Sequence, residues 1–302
     1  MKKIFLIMLL VFISFSVQAQ QDAQYTQYMY NTMSVNPGYA GSRGALSILG
    51  LHRAQWVGLD GAPRTQTFSG HMPIENSRIG LGLSFVNDKL GPVSEQYINI
   101  DLSYTIPVSE KGKLSLGIKG VANFHKVDLM NETTELTADP LQLNVDRFNP
   151  NFGAGVYYHT QKFYAGLSVP NFITTEHVDG VSLSKAQERM NCYAITGDVF
   201  EINDKVKLKP TALLKYVEGA PLQADISLNA LYNDRFRLGL AYRWSAALSG
   251  LAGFQINEKL MIGYAYDWDT TDLGKYNSGS HELFLRFELF NHRDDLISPR
   301  FF

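Results

Sequence analysis

The stretch "RIGLGLSFVND", residues 78–88, alternates between two kinds of side chain. One set is large and apolar: Ile79, Leu81, Leu83 and Phe85. The set between them is very small: Gly80, Gly82 and Ser84. A period of two is typical of a β-strand, because successive side chains leave opposite faces of the pleat. A soluble sheet usually carries charged and polar side chains on its second face, so the pattern raises the question of what lies on each side of this strand.

The composition excludes several classes of protein. The chain has 302 residues, of which 45% are hydrophobic and 19% charged, and its formal net charge is −2. This apolar content excludes a disordered chain, and the scattered lysines and arginines argue against a nucleic-acid partner. The single cysteine, Cys192, cannot form an internal disulfide, and we expect it to be a small side chain in a strand.

The N-terminus has the pattern of a secretory signal peptide, predicted over residues 1–19. Two lysines are followed by the apolar stretch Ile4 to Phe15, and Val17-Gln18-Ala19 has the small residues of a cleavage site. The apolar stretch is shorter than the roughly 20 residues that a membrane-spanning helix needs. No later segment is apolar over roughly 18 residues, so we expect an exported protein that crosses a membrane, if it does so at all, with strands.

The alternation of the first stretch recurs along the chain. Six further segments show it clearly: 98–106, 114–119, 223–230, 235–242, 260–267 and 282–289. Seven show it more weakly: 46–53, 65–72, 151–159, 163–169, 190–201, 206–217 and 246–256. Segments of about ten residues, apolar on one face and polar or small on the other, are typical of an outer-membrane barrel. The sequence therefore predicts an all-β, antiparallel transmembrane β-barrel of about 14 strands.

The lengths of the connections support this prediction. The turns predicted for the periplasmic side are all short: 73–78, 107–112, 160–162, 202–205, 233–234 and 257–259. The longest connections, 126–150, 170–189 and 269–280, all fall on the opposite side, as in bacterial barrels. A soluble double-layer β-protein explains the alternation and the signal peptide equally well, but it does not explain the strand length or the sorted connections.

The register also assigns faces. The large apolar residues are predicted to face lipid, and the small and charged ones a crowded lumen, because an Arg at mid-depth on the lipid face would cost about 2–4 kcal/mol. Both signs of charge occur, which favours ion pairs across the lumen over a selective ion filter. The predicted lumen-facing polar residues are Asp101, Lys119, Asp225, Arg235, Arg237, Asp267, Glu282, Arg286 and Glu288.

The ends of the chain lie outside the barrel pattern, so the barrel is predicted over 45–290 with a periplasmic C-terminal tail at 291–302. The N-terminal segment, residues 20–44, is predicted to lie at the periplasmic mouth or in the lumen. Tyr25, Tyr28 and Met29, with Thr32, have the spacing of one helix face, and Asn36-Pro37-Gly38 ends that helix. Ordering each residue costs about 1–2 kcal/mol of backbone entropy, so such apolar residues must find a packing partner.

We expect this segment to pack into the periplasmic end of the lumen as a plug. The predicted contact residues are Tyr25, Tyr28 and Met29, which would fill the space that Gly82 and Gly117 leave open. A loosely attached tail is the alternative.

No catalytic, cofactor or metal site is predicted. The seven histidines have no spacing suited to zinc, and the acidic run Asp267 to Asp272 lacks the glycine and distal glutamate of an EF-hand loop. There is no G-x-S-x-G nucleophile motif. We therefore expect a protein that is not an enzyme.

Several motifs, in order along the chain, carry a family resemblance. They are "QYTQYMYN" (24–31), "VNPGYAGSRG" (35–44), "YAGLSVPNF" (164–172), "LKPTALLKY" (208–216), "RFRLGLAYRW" (235–244), "LSGLAGFQINEKLMIGYAYDW" (248–268), "HELFLRF" (281–287) and "SPRFF" (298–302). Together they resemble the PorP/SprF family, the membrane proteins of the type IX secretion system. The resemblance spans the mature chain except for residues 126–150, where no family pattern occurs.

The resemblance implies an outer-membrane component of a Gram-negative, Bacteroidota-like bacterium that supports export or surface display of large proteins such as gliding adhesins. It implies three kinds of partner: outer-membrane lipid, periplasmic components of the secretion machine, and the C-terminal domains of secreted cargo. It implies no enzyme activity and no cofactor. Because even barrels of 16–18 strands leave only an aqueous channel, we expect an accessory that docks cargo or scaffolds the machine. The alternative function is a passive porin or a transporter for small hydrophobic molecules.

Overall fold

The computed structural model describes residues 24–128, 145–176, 187–188 and 190–289. The predicted signal peptide and the predicted C-terminal tail lie outside the described residues, as does most of the long connection predicted over 126–150.

The described chain consists almost entirely of strands. They are β1 (Leu46–Ala54), β2 (Arg64–Pro73), β3 (Ile79–Leu90), β4 (Val93–Pro107), β5 (Lys113–Val127), β6 (Val145–His159), β7 (Tyr164–Val169), β8 (Thr175–Glu176), β9 (Gln187–Glu188), β10 (Asn191–Gly197), β11 (Phe200–Asn203), β12 (Val206–Val217), β13 (Gln223–Tyr232), β14 (Phe236–Arg243), β15 (Ala247–Gln255), β16 (Leu260–Asp269) and β17 (Ser280–Leu289). One helical turn, α1 (Thr32–Val35), and two 3₁₀ turns, Pro37–Tyr39 and Asp272–Lys275, complete the elements.

The strands form one closed antiparallel barrel. Each wall strand pairs with its neighbours in the chain, β1 pairs with β17, and β10 pairs with both β7 and β12. Both β10 and β11 lie against β12, so they form one wall strand interrupted at Asp198 and Val199. The interruption lies opposite Pro210, which has no N–H to donate to the ladder. The barrel wall therefore has 14 strands, and the predicted fold class is confirmed. The small pair β8–β9 lies outside it.

The two faces of the strands separate as the alternation predicts. On β3, Leu83 is 58% exposed on the outside, whereas Gly82 and Ser84 are buried on the inside. The same inside–outside pattern continues on the neighbouring strand, where Ile100 is exposed and Asp101 is fully buried. The apolar face is thus available to lipid, and the interior belongs to small and polar side chains.

The connections separate by length between the two ends of the barrel. At the end where β1 begins, every connection has five residues or fewer. One of these is a tight turn at Asn233 and Asp234, whose positive φ angles of 51° and 52° suit a type I′ hairpin. We call this the inner end and assign it to the periplasm, since bacterial barrels have their short turns there. The longest connections lie at the opposite, outer end.

The helix predicted around Tyr25, Tyr28 and Met29 is wrong. Residues 26–30 form consecutive turns closed by bonds between residues three apart, such as Tyr30 N–H to the Gln27 carbonyl at 2.9 Å. An amphipathic helix forms when one face is buried and the other is exposed, but this segment is buried on every side. The spacing of its apolar residues therefore does not favour a helix here. Within residues 24–45, regular helix is confined to α1, and it ends before Asn36 as predicted.

Candidate functional site inside the barrel

Eight of the nine residues predicted to face the lumen are buried inside the barrel. They are Asp101, Lys119, Asp225, Arg237, Asp267, Glu282, Arg286 and Glu288. Several form ion pairs with each other or with neighbouring strands, for example Lys119 with Asp101 at 3.3 Å and Arg243 with Asp225 at 2.9 Å. Buried charges are tolerated when they are paired in this way.

Arg235 is the exception, and its predicted lumenal position is wrong. The residue is exposed at the inner end, directly after the tight turn at Asn233 and Asp234. Its N–H donates to the Tyr232 carbonyl at 3.1 Å as part of this turn. The alternation assigned Arg235 the same face as Arg237, but β14 begins only at Phe236, so the side chain lies beyond the wall.

The N-terminal segment runs through the lumen from one end to the other. We call residues 24–45 the plug. Gln24 lies near the outer end, where its Nε2 donates to Asp225 Oδ2 at 2.7 Å. At the inner end Arg43 forms an ion pair with Glu288, and the chain then enters β1. The plug therefore runs from the outer to the inner end, rather than occupying the inner end alone as predicted.

A group of charged side chains holds the plug near its outer end. Glu282 accepts the backbone N–H groups of Thr26 and Gln27, each at 2.9 Å. Arg53 lies against the same carboxylate at 3.1 Å and against Asp267 at 2.7 Å. The Thr26 hydroxyl donates to Asp267 at 2.6 Å. Because hydrogen bonds to charged groups are about twice as strong as neutral ones, this cluster anchors the plug to β1, β16 and β17.

The three predicted plug residues, Tyr25, Tyr28 and Met29, are all buried. The Tyr25 hydroxyl lies 2.7 Å from Thr67 Oγ1 on β2, and the Tyr28 hydroxyl lies 2.8 Å from Thr211 Oγ1 on β12. The two tyrosines thus connect the plug to two well-separated strands of the barrel wall. They do not occupy the space beside Gly82 and Gly117, so the predicted contacts are wrong.

Other plug residues lie against the glycines of the wall. A Cβ added to Gly117 would collide with the backbone of Pro37 and Gly38, and one added to Gly82 would lie 2.6 Å from Met33 Sδ. Neighbouring serines donate to plug carbonyls, as Ser103 does to Ala40 at 2.7 Å. The small inner face of β3 and β5 therefore exists because the plug backbone approaches it closely.

Lysine and arginine side chains surround Tyr30 in the inner half of the lumen. The charged groups of Lys209, Arg237 and Arg286 lie 5.1, 5.7 and 6.0 Å from the centre of its ring. These distances are within the range of cation–π attraction. Phe284 packs on the same ring at 5.2 Å between centroids.

Several lumenal cations were missed at the sequence level: Arg43, Arg53, Lys209 and Lys215 are all buried. A signal for the last two exists in β12. The odd-numbered residues Lys209, Thr211 and Lys215 lie on one face of the strand and are buried. The even-numbered residues Leu214 and Tyr216 lie on the other face and are exposed. The signal for Arg43 is absent, because no periodic element contains it.

The space that the plug leaves differs between the two halves of the lumen. A cavity of about 430 Å³ lies at the outer end, beside Gln24, Arg53 and Trp56. A second, of about 100 Å³, lies between the plug and β2–β5. A third, separate cavity, of about 10 Å³, lies beside Tyr30 in the inner half. The largest of these three cavities therefore lies at the outer end, and the smallest lies in the inner half beside Tyr30.

Neither a membrane-spanning helix nor a metal site is found in the described part of the chain. None of its helices has the length and hydrophobicity to cross a bilayer. No three histidine, cysteine, aspartate or glutamate side chains there cluster as metal ligands would. In the acidic run at the end of β16, Asp269 Oδ1 accepts hydrogen bonds from the backbone N–H and the hydroxyl of Thr271.

The sequence places this barrel in a family. Residues 17–287 match the family described as "Type IX secretion system membrane protein PorP/SprF". The chain belongs to the PorP/SprF family. As a β-barrel of this family, it is a component of the type IX secretion system in the outer membrane. The comparison with curated proteins found no match.

Solved structures share the fold of this PorP/SprF protein at low sequence identity. The CymD monoaromatic hydrocarbon channel is 15% identical with a TM-score of 0.52, and the match covers 92% of this chain and 96% of CymD. The Ralstonia pickettii toluene transporter TbuX is 11% identical with a TM-score of 0.50, and the match covers 87% of this chain and 94% of TbuX. At such identities the likeness shows that the fold is an outer-membrane barrel and nothing finer.

Proposed function

We propose that this PorP/SprF protein is a non-enzymatic docking or scaffolding subunit of the type IX secretion system. In this role it supports export or surface display of cargo such as gliding adhesins, while another component conducts the cargo. Its proposed partners are periplasmic parts of the machine and the C-terminal domains of cargo proteins.

The filled lumen is the observation that carries the proposal. The plug is anchored near its outer end by Glu282 and at its inner end by the Arg43–Glu288 ion pair. Between them its backbone lies against the wall glycines. Removing so many buried contacts at once is costly, so a polypeptide is not expected to pass through this barrel. The surfaces at the two ends are then the parts that remain for binding partners.

The alternative, a porin or a transporter of small hydrophobic molecules, requires a path through the lumen or the wall. The cavity of about 10 Å³ beside Tyr30 has room for about one water molecule, which supports the docking role over a diffusion channel. Single-channel recording of the purified protein in planar bilayers separates the two functions. Steady conductance of the intact protein would favour the porin.

Deletion of the gene, followed by comparison of the secreted and surface proteomes, tests the proposal directly. We expect the strain to lose a defined set of large secreted proteins and to recover them when the wild-type gene is restored. A deletion strain whose secreted and surface proteins are unchanged would contradict the proposal. A general loss of small-molecule uptake with normal secretion would favour the transporter.

A further inference from the structure

Asp198 is an acidic side chain on the lipid-facing side of the barrel wall. It lies in the interruption between β10 and β11, on the same outer face as Thr196 and Phe200, which are both exposed. Its Oδ1 accepts the N–H of Val199 at 2.8 Å, and the residue is half-buried. Among the described residues, no lysine or arginine side chain lies within 4.0 Å of this carboxylate. The described part of the chain therefore supplies no countercharge.

The depth of Asp198 in the wall is unusual for a charged residue. On the other described wall strands, the acidic and basic side chains that face outward lie at or next to strand ends, as Arg64, Lys89 and Asp146 do. Asp198 instead lies opposite Pro210, the fifth residue of β12, so it is above the inner end of the wall. Charges on the lipid-facing side are destabilising away from the interfaces, and an ionisable residue at such a place usually marks a functional contact.

A groove in the outer surface of the barrel surrounds Asp198. Its volume is about 680 Å³, and its lining is almost entirely apolar. Asp198 shares the groove with the small side chain of Ala212 and with large exposed side chains, among them Phe200, Leu228 and Leu240. A single carboxylate among apolar side chains fits a partner that is itself apolar and carries one cation, because an unpaired charge away from water is costly.

The depth of the carboxylate distinguishes a protein from a lipid as the source of that cation. Exposed aromatic side chains near the inner end have the arrangement of the girdle that lies at the level of the lipid headgroups: Phe163, Phe200, Tyr232 and Phe236. Asp198 lies two residues farther from the inner end than Phe200, on the hydrocarbon side of this girdle. A headgroup amine is therefore held below the carboxylate, whereas a lysine or arginine of a neighbouring membrane protein can be presented at its depth.

A second copy of this chain does not supply the cation. A copy inserted in the same direction places its own residues at the same depth, and its described outward positions there carry no lysine or arginine. We propose that the groove around Asp198 binds a membrane-embedded segment of a different protein, which places a lysine or arginine beside the carboxylate. This goes beyond the proposed docking role, because that role uses the two ends of the barrel and this surface is its side.

The test is photo-crosslinking in the native outer membrane from Leu240, an exposed residue of the groove. With p-benzoylphenylalanine at this position we expect an adduct with one membrane protein, and the crosslinked peptide should contain a lysine or arginine. The same label at Ile100, exposed on the opposite part of the wall, is the control and should not give this adduct. Asp198→Asn should lower the adduct yield at least about tenfold, because it removes one member of a charge pair shielded from water. Asp204→Asn, in an exposed inner turn, should not lower it.

A charge-reversal pair separates an ion pair from a merely structural role of Asp198. Asp198→Arg should abolish the adduct, and replacement of the partner's lysine or arginine by aspartate should restore it, while Asp198→Glu should keep the adduct throughout. Heat-modifiability gels check that each barrel is folded. The proposal is overturned if the wild-type groove gives no protein adduct, or an adduct only with a second copy or with residues 290–302 of this chain. It is also overturned by a crosslinked peptide without lysine or arginine, or by a yield that Asp198→Asn leaves unchanged.

Discussion

The side-chain carboxylate of Glu282 accepts a hydrogen bond from the backbone N–H of Thr26, a residue 256 positions away in the chain. The bond joins the last strand of the barrel to the beginning of the plug, at 2.9 Å between Thr26 N and Glu282 Oε2. The other carboxylate oxygen accepts the N–H of Gln27, so both oxygens of one side chain hold the plug. A carboxylate suits this position because it offers two acceptor oxygens, one for each backbone N–H.

Glu282→Gln should therefore loosen the plug without preventing barrel assembly. The amide offers one acceptor oxygen instead of two and leaves Arg53 with Asp267 as its only charged partner. The loss corresponds to a hydrogen bond to a charged group, about 1.5–3 kcal/mol. The measurement is the temperature at which the folded form disappears on a heat-modifiability gel, together with trypsin cleavage within the plug. Glu258→Gln, in an exposed inner turn, is the control, and equal behaviour of the two variants would contradict the anchoring role.

Two glycines of β5 provide a matched test of the close contact between plug and wall. A Cβ at Gly117 would collide with the backbone of the plug, whereas a Cβ at Gly120 would meet nothing within 4 Å. Gly117→Ala should lower stability by about 1–3 kcal/mol, the usual cost of overpacking. Gly120→Ala should be nearly neutral in the same thermal assay. A neutral Gly117→Ala would mean that the plug does not lie against β5 in the membrane.

Leu81 tests the outward face of β3. Its side chain lies on the same outer face as Leu83, and an arginine there should cost about 2–4 kcal/mol if it lies near the bilayer centre. We expect Leu81→Arg to lower the amount of folded protein in the outer membrane several-fold. Leu81→Met, which keeps the position apolar, should preserve it. Quantitative immunoblots of membrane fractions make the comparison, and equal levels would show that the face is not exposed to lipid.

The direction of the plug can be tested with cysteine labelling on intact cells. Gln24 lines the cavity at the outer end, so a cysteine there should react with a membrane-impermeant maleimide added outside. Ser77→Cys, at an exposed position of an inner turn, should react only after the cells are broken. Cys192 is first replaced by serine to remove background labelling. Labelling of Ser77→Cys but not of Gln24→Cys on intact cells would reverse the assigned orientation.

Removal of the plug should open the barrel. A variant that lacks residues 22–40 but keeps the predicted signal peptide should still insert, because the wall strands pair without the plug. It should conduct ions in planar bilayers, where we expect little conductance from the intact protein, and it should no longer support cargo secretion. Conductance equal to that of the intact protein would show that residues 24–40 do not seal the lumen.

The sequence by itself determined the barrel wall. Strand periodicity, turn residues and connection lengths are local features, and they predicted the strands, the face of residues such as Leu83 and Asp101, and the separation of short from long connections. The same local information misplaced Arg235, because alternation does not show where a strand ends in space. It also predicted a helix at Tyr25 and Tyr28, where the backbone N–H groups of the neighbouring Thr26 and Gln27 are taken up by a distant carboxylate.

Only the tertiary structure decided how the lumen is filled. Three contacts depend on closure of the barrel between β1 and β17: Thr26 with Glu282, Pro37 with Gly117, and Arg237 with the Tyr30 ring. Closure brings together residues from opposite ends of the chain, and a periodic pattern in the sequence does not show which residues form such pairs. The direction in which the plug runs through the lumen is also decided by the tertiary structure. It depends on which lumenal charges the first plug residues contact, and the sequence of the plug alone does not show it.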